Sequence, residues 1–258
     1  MPNPSLGTRI GLYARYTARD PGFAFALLSR NSDRINDMRV KRLSRLLGVP
    51  SPQVETALDD YQDTFDRLEA ELKGRNAGND LRSMFIPDIY TIVRLLKPKL
   101  IVETGVFSGY SSAFILAALS LNQSGKLFSI DLPDADPSAK LPAGKEPGWA
   151  VPPSLRDRWN LLLGDSKGLL PPLLKDLGHV DVFFHDSLHT YQNMMFEFTS
   201  AWPYLGRGGI LLSDNVVLNE AFFHFSKTIN QDPTLLWRLT PRRDCFGIIR
   251  KPLQANSV

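Results

Sequence analysis

Cysteine is almost absent from this chain of 258 residues, which contains only Cys245. One cysteine cannot form a disulfide within the chain, so we expect a reducing, cytoplasmic compartment. Long hydrophobic runs are missing as well, because no stretch approaches the roughly 18 apolar residues that span a bilayer. The apolar segment 22–29 lies between Asp20 and Arg30 and does not fit a signal peptide. The sequence therefore predicts no membrane span.

Two phosphate-binding motifs are also lacking. The chain has neither G-x-G-x-x-G nor G-K-[ST], so neither a dinucleotide pyrophosphate nor a P-loop ligand is favoured. The four histidines lack the spacing of a zinc site. The missing G-x-G-x-x-G counts against an NAD-linked oxidoreductase.

Charge is unevenly distributed along the chain, whose net charge is +3. Residues 1–50 hold nine Lys and Arg against three Asp, a net +6, so the remainder is net −3. Such a basic arm can bind nucleic acid or an anionic surface. However, it lacks the interleaved aromatic residues on which single-stranded nucleic acids stack. We therefore expect a solvated helix face or a homo-oligomer contact through the N-terminal helices, with nucleic acid unlikely as a partner.

The hydrophobic pattern divides the chain into two regions. Residues 1–84 predict an N-terminal helical region, with apolar residues at helical spacing and a capped helix from Ser51 to Gly74. From residue 85 to 258, short apolar runs alternate with helical stretches, which predicts a parallel sheet covered on both faces. Five such runs are at 99–104, 126–131, 160–165, 180–186 and 209–214. A final hairpin, 235–251, predicts an antiparallel last strand.

An acidic residue lies at or just after the carboxyl end of every one of these five predicted strands: Glu103, Asp131, Asp165, Asp186 and Asp214. In open α/β sheets, ligands bind in the crevice outside those carboxyl ends. Five carboxylates at one edge would repel each other unless cations or hydroxyl donors lie between them. Capping of the following helices explains any one of these residues but explains all five poorly.

The stretch ETGVFSGYSS, residues 103–112, joins the first predicted strand to its helix. Its glycines permit a tight turn and close approach of the backbone to a ligand. With Asp131 one strand later, where ribose hydroxyls are bound in related nucleotide folds, and GDS at 164–166, it resembles class I S-adenosylmethionine (SAM)-dependent methyltransferases. The resemblance is to the catechol O-methyltransferase-like group and its bacterial small-molecule and sugar relatives, over about residues 85–251.

The resemblance implies a Rossmann-like, doubly wound sheet of seven strands, mostly parallel with an antiparallel C-terminal hairpin strand. It assigns eight residues to the cofactor SAM: Glu103, Gly105, Gly109, Ser111, Ser112, Asp131, Asp165 and Ser166. The methionine end would lie against Glu103 and the glycine turn, the ribose at Asp131, and the adenine beside Asp165. A serine at the start of the helix would hydrogen-bond the carboxylate of SAM.

A second motif is expected to supply the metal site and the catalytic base. LLSDNV, residues 211–216, resembles the metal-binding stretch of catechol O-methyltransferase, which implies that Asp186, Asp214 and Asn215 bind Mg²⁺. A divalent cation lowers the pKa of a substrate hydroxyl. His189 occupies the position of the lysine base of that enzyme, and related sugar methyltransferases also have D-x-x-H. The implied catalytic base is therefore His189, since the ordinary histidine pKa, about 6.5, suits proton abstraction.

The segment 132–153 contains six prolines and predicts either a lid over the substrate, with Trp149 as an aromatic wall, or a plain loop. We expect a cytoplasmic, metal-assisted O-methyltransferase whose partner is a small-molecule hydroxyl substrate, sugar-like rather than a catechol. Two alternatives remain open. One is an RNA or protein methyltransferase that docks its substrate through the basic arm, and the other is a non-catalytic SAM-binding scaffold.

Overall fold

The computed structural model describes residues 6–19, 32–74, 85–133, 141, 143–237 and 245–253. Its helices are α1 (Leu6–Arg19), α2 (Ser32–Leu47), α3 (Ser51–Gly74), α4 (Ile86–Leu96), α5 (Tyr110–Leu121), α6 (Ser166–Leu177), α7 (Tyr191–Ala201) and α8 (Ala221–Thr228). Its strands are β1 (Leu100–Thr104), β2 (Lys126–Asp131), β3 (Trp159–Leu163), β4 (Val180–His185), β5 (Leu205–Ser213), β6 (Thr234–Trp237) and β7 (Cys245–Arg250). Short 3₁₀ turns precede β3 and β5.

All seven strands form one sheet in the order β3-β2-β1-β4-β5-β7-β6. Strands β1 to β5 are parallel, and β7 runs antiparallel to both β5 and β6. This arrangement confirms the predicted Rossmann-like fold and its antiparallel last strand. The strand order reverses between β1 and β4, whose last residues, Thr104 and His185, are register partners. A ligand crevice is therefore expected at the carboxyl ends of these two strands.

Apolar side chains of the strands alternate between the two faces of the sheet. On β4, Val182 and Phe184 join the cluster on one face, and Phe183 joins the cluster on the other. Helices α2, α3, α4 and α5 complete the first cluster, while α1, α6, α7 and α8 contribute to the second. The sheet is thus covered on both faces, as the continuous apolar strands predict.

Arginines of the N-terminal segment hold its helices against the rest of the fold. Arg15 pairs with Glu220 at 2.8 Å, and Arg42 Nη1 donates to the carbonyl oxygen of Leu235 at 2.6 Å. Arg39 also pairs with the buried carboxylate of Asp88. Arg15, Arg39 and Arg42 therefore contact other parts of the fold, whereas the sequence predicted a solvated helix face or an oligomer contact.

Some sequence predictions fall outside the described residues. They include the apolar segment 22–29, the turn between β6 and β7, and most of the proline-rich segment before residue 143. Within the described ranges, every helix is too short or too polar to cross a bilayer. Cys245 is fully buried at the start of β7, as a small apolar side chain would be.

Candidate active site

The glycine turn between β1 and α5 packs directly against the loop that follows β4. Gly105 has a φ of +85°, and a Cβ there would lie 2.1 Å from the carbonyl oxygen of Asp186. Gly109 has a φ of +88°, and its Cβ would lie 2.6 Å from Cγ2 of Val151. Both positions therefore require glycine for the left-handed backbone and for close packing. The predicted cofactor turn and the predicted metal loop are in contact through Gly105.

Residues 143–151, which belong to the connection from β2 to β3, contact this turn. The N–H of Gly148 donates to the carbonyl of Phe107 at 2.7 Å, and the N–H of Ala150 donates to that of Ser108 at 3.0 Å. The ring of Trp149 meets Phe107 edge to face, with 5.7 Å between centroids. This part of the connection is thus bound to the cofactor turn. The role of Trp149 as a substrate wall stays a prediction.

Glu103 is completely buried and accepts three hydroxyl hydrogen bonds. Ser111 donates at 2.8 Å, Ser112 at 2.6 Å and Ser129 at 2.8 Å. Burial raises the pKa of Glu103, although these hydroxyls oppose the shift. The two helix serines that the sequence assigned to the cofactor therefore have partners inside the protein. Direct contact of SAM with Glu103 would require these hydroxyls to move.

Asp131 lies at the end of β2, beside the same turn. Its Oδ2 accepts the backbone N–H groups of Val106 at 2.7 Å and Phe107 at 2.6 Å. Among the described residues, its Oδ1 accepts no hydrogen bond. Asp131 thus shapes the turn with one oxygen, and its assignment to the ribose hydroxyls stays a prediction.

Asp165 is an exposed N-cap of α6. Its Oδ1 accepts the backbone N–H of Lys167 at 2.9 Å. For this residue, capping accounts for the acidic side chain after the strand. Its assignment to the adenine, with Ser166, stays a prediction.

Asp186, His189 and Asp214 come together at the ends of β4 and β5. One potential ligand atom from each lies within 4.8 Å of the others, and Nε2 of His189 is 3.8 Å from Oδ1 of Asp186. Burial raises the pKa of Asp186 well above its ordinary value, and the nearby Asp214 and Glu103 carboxylates raise it further. A cation would relieve that repulsion, so this donor set fits a divalent metal ion.

Asn215 supports the same cluster. Its backbone has a φ of +54°, a left-handed conformation that asparagine tolerates better than most residues. Its Nδ2 donates to Oδ2 of Asp214 at 2.9 Å, and so orients that carboxylate.

The backbone carbonyl of His189 accepts a further hydrogen bond from Asn219 at 3.2 Å. The structure thus brings the predicted base, His189, to the two predicted carboxylate ligands.

Residues 102–216 match the family described as "Methyltransferase domain". Over these residues the chain is similar to that family. No match to a curated protein sequence was found.

Solved structures share the fold of this domain. An O-methyltransferase from Bacillus cereus in complex with S-adenosylhomocysteine has a TM-score of 0.55 and 16% identity, covering 77% of this chain and all of its own. A putative O-methyltransferase from Klebsiella pneumoniae has a TM-score of 0.52 and 20% identity, and the match covers 73% of this chain and 89% of its own. A third structure is the O-methyltransferase TomG from Streptomyces achromogenes, which is involved in tomaymycin synthesis and was solved with SAM. It has a TM-score of 0.50 and 16% identity, and the match covers 93% of this chain and 98% of its own. At these identities the likeness shows the fold.

A serine motif in the methyltransferase domain also fits another enzyme class. Residues 164–168, GDSKG, match the G-x-S-x-G pattern of the nucleophile elbow in α/β-hydrolases. In such an elbow the serine sits on a strained turn between strand and helix. Ser166 is instead the first residue of α6 and does not have a positive φ. The motif is therefore an ordinary helix start here.

Glu197 on α7 is a site residue that sequence reasoning missed. Its side chain is fully buried at the carboxyl ends of β1 and β4. Its hydrogen-bond donors include the hydroxyls of Thr104 at 2.6 Å and Ser187 at 2.8 Å, Nδ1 of His185 at 2.6 Å and Nδ2 of Asn193 at 3.1 Å. The available signal was a lone glutamate among the apolar residues of YQNMMFEFTSA. The ring of His185 also packs edge to face against Phe198 of this helix, with 5.3 Å between centroids.

When the charge of Glu197 is removed, the stability of the fold is expected to fall less on acidification. Burial by itself would raise the pKa of Glu197, but the charge and hydrogen bond of His185, with the hydroxyls of Thr104 and Ser166, lower it to about 2. A carboxylate whose pKa is lower in the folded chain contributes stability above its unfolded pKa, and this contribution disappears as the pH falls toward the folded pKa. Glu197 thus contributes stability that is present above about pH 5 and is lost as the pH falls toward about 2.

Urea unfolding of wild type and Glu197→Gln across that acid range measures this contribution. The variant is expected to be less stable at neutral pH and to lose less stability on acidification. Asp176→Asn, which changes an exposed carboxylate of α6, is the control and should follow the wild type. A Glu197→Gln curve parallel to the wild-type curve would contradict the prediction.

Proposed function

We propose that this protein transfers the methyl group of SAM to a hydroxyl of a small molecule, a sugar or a glycosylated metabolite, with the help of a divalent cation. The observation that carries the proposal is the convergence of Asp186, His189 and Asp214 within 4.8 Å. This cluster adjoins the glycine turn, because Gly105 packs on the Asp186 backbone. Methyl transfer is an in-line displacement, which requires donor and nucleophile side by side.

The residues around the turn would bind SAM, which supplies the methyl group when bound. Oδ1 of Asp131 would accept a ribose hydroxyl, and Asp165 with Ser166 would lie near the adenine. Gly105 and Gly109 let the backbone approach the methionine end. Glu103, with Ser111 and Ser112, would act mainly by holding the turn in shape through their mutual hydrogen bonds.

Asp186, Asp214 and Asn215 would hold the divalent cation, and the two carboxylates are the hard oxygen ligands that Mg²⁺ prefers. A cation bound there would lower the pKa of the substrate hydroxyl and fix its orientation. Nε2 of His189, 3.8 Å from Oδ1 of Asp186, would accept the hydroxyl proton. The substrate oxygen would thereby become the nucleophile for methyl transfer.

The same geometry favours a second role for His189. Two carboxylates and an imidazole within 4.8 Å also form a ligand set for a transition metal such as Mn²⁺. In that case His189 would be a ligand, and another group would accept the proton. The two roles predict different metal affinities for a His189→Ala variant.

The proposed function predicts a thermal shift with S-adenosylhomocysteine and none with NAD⁺. A ligand at about 100 times its dissociation constant adds about 2.7 kcal/mol of stability. For a chain of this length that corresponds to a rise in Tm of roughly 5–10 °C. Melting curves with each ligand, with Mg²⁺ or with chelator, measure it. A shift with NAD⁺ alone would contradict the proposal, and methylation of RNA with a steep salt dependence would favour the polyanion alternative.

A further inference from the structure

We infer that Glu197 is a positioning residue of this site, a buried carboxylate that fixes the loop carrying Asp186 and His189 against the ends of β1 and β4. The catalytic consequence rests on the proposed function, whereas the structural consequence does not. Glu197 belongs to α7, the helix that follows this loop. It acts on the proposed ligands and base through other residues.

The Oε1 oxygen of Glu197 holds the loop itself. It accepts from the hydroxyl of Ser187 at 2.8 Å and from Nδ2 of Asn193 at 3.1 Å. The same Nδ2 also donates to the carbonyl of Leu188 at 3.1 Å. Ser187 and Leu188, which lie between Asp186 and His189, are therefore both hydrogen-bonded to side chains of α7.

The Oε2 oxygen holds the two strand ends that position the carboxylates. It accepts from the hydroxyl of Thr104 at 2.6 Å and pairs with Nδ1 of His185 at 2.6 Å. The carbonyl of Thr104 accepts the backbone N–H of Asp186 at 2.8 Å, and the carbonyl of His185 accepts that of Asp214 at 3.0 Å. Each residue bound by Oε2 thus fixes the backbone of one proposed metal ligand.

The ring of His185 extends this arrangement to the proposed base. Its centroid lies 5.1 Å from that of His189, with the two rings edge to face. Because Glu197 fixes one nitrogen of the His185 ring, it also fixes the surface on which His189 packs. Asp186, His189 and Asp214 are therefore all held through contacts that begin at one carboxylate.

A positioning role explains why a carboxylate is buried here. Burying a charge is costly, and well-packed apolar residues of similar volume are often as stabilising as a buried ion pair. A carboxylate with donors from separate segments instead fixes their relative orientation. Groups that orient metal ligands and bases in this way typically change metal affinity or activity by 10–100-fold when removed, a rough range.

Glu197→Gln tests the inference, because glutamine keeps the volume but removes the charge and leaves one oxygen to accept the hydrogen bonds that the two oxygens of Glu197 accept. Amide hydrogen exchange of Asp186 and Asp214 is expected to rise about tenfold or more. The dissociation constant of Mn²⁺, titrated alone, is expected to rise about tenfold or more, while that of S-adenosylhomocysteine stays within about threefold. Asp88→Asn is the matched control, since it alters a buried carboxylate paired with Arg39 outside the site. It should lower stability without changing these exchange rates.

Unchanged exchange at both amides in Glu197→Gln would overturn the inference. If amide exchange rises in Glu197→Gln but the wild type binds no Mn²⁺, the positioning role is supported and the metal part of the proposed function is rejected. If Glu197→Gln does not fold, Ser187→Ala and Thr104→Val each remove one donor and carry the same test. Faster exchange at Asp186 in either variant would support the inference, and wild-type exchange in both would overturn it.

Discussion

Replacing Asp186 by alanine is expected to lower methyl transfer by about 10³-fold or more while leaving cofactor binding nearly intact. A divalent cation held by these residues would supply several kcal/mol of charge stabilisation, and about 4 kcal/mol corresponds to 10³-fold in rate. The side chain of Asp186 lies with those of His189 and Asp214, whereas its backbone carbonyl contacts the glycine turn. Alanine removes the carboxylate and keeps that backbone contact, so the cofactor turn should survive.

Methylation of a panel of sugar, aliphatic and catechol hydroxyls, with Mg²⁺ or with chelator, measures the effect. Asp176→Ala is the matched control, because it removes an exposed carboxylate from α6. The control should keep wild-type activity, and Asp186→Ala should keep the dissociation constant of S-adenosylhomocysteine within about threefold. Wild-type activity that is equal with metal and with chelator would show that the cation has no role.

The same assay with His189→Ala separates the two roles proposed for this histidine. If His189 is the base, Mn²⁺ affinity should stay near the wild-type value while turnover falls by about 10²–10⁴-fold. If His189 is a ligand, Mn²⁺ affinity should fall together with turnover. A variant with wild-type affinity and wild-type turnover would contradict both roles.

The sheet and its acidic edge were predictable because they depend on local patterns. The apolar runs of β1, β2, β4 and β5 each end at a charged or polar residue, and parallel strands bring those ends to one edge. The helix breaks at Gly48 and Pro98 also follow from backbone chemistry. The strand that begins at Trp159 was predicted one residue too late, which is within the usual uncertainty of element boundaries.

The partners of the site residues were not predictable, because they depend on contacts between distant segments. Glu103 was assigned to the cofactor, yet it is surrounded by hydroxyls from α5 and β2. Glu197 drew no attention, since its donors lie on β1, β4 and the loop after β4. A single sequence shows which residue types end each strand, but not which of them face each other.

Gly105→Ala is expected to be the most destabilising of the substitutions considered, at about 3 kcal/mol or more. A left-handed backbone costs a residue with a Cβ roughly 1–2 kcal/mol. In addition, the new Cβ would lie 2.1 Å from the carbonyl oxygen of Asp186 and 2.7 Å from the backbone nitrogen of Ser187. Neither atom can move without displacing the loop after β4, and overpacking of this kind adds about 1–3 kcal/mol.

Gly178→Ala is the matched control for this prediction, because Gly178 has a φ of +70° and open space where a Cβ would lie. Gly178→Ala should therefore lose only the stability that a left-handed backbone costs a residue with a Cβ, and should leave ligand binding unchanged. Gly105→Ala should in addition weaken both S-adenosylhomocysteine and Mn²⁺ binding, since displacing the loop moves the turn and the carboxylate of Asp186 together. Urea unfolding and calorimetric titration of both variants measure these effects. Equal stability losses in the two variants, or weakened binding of one ligand alone, would mean that the cofactor turn and the metal loop are not coupled through Gly105.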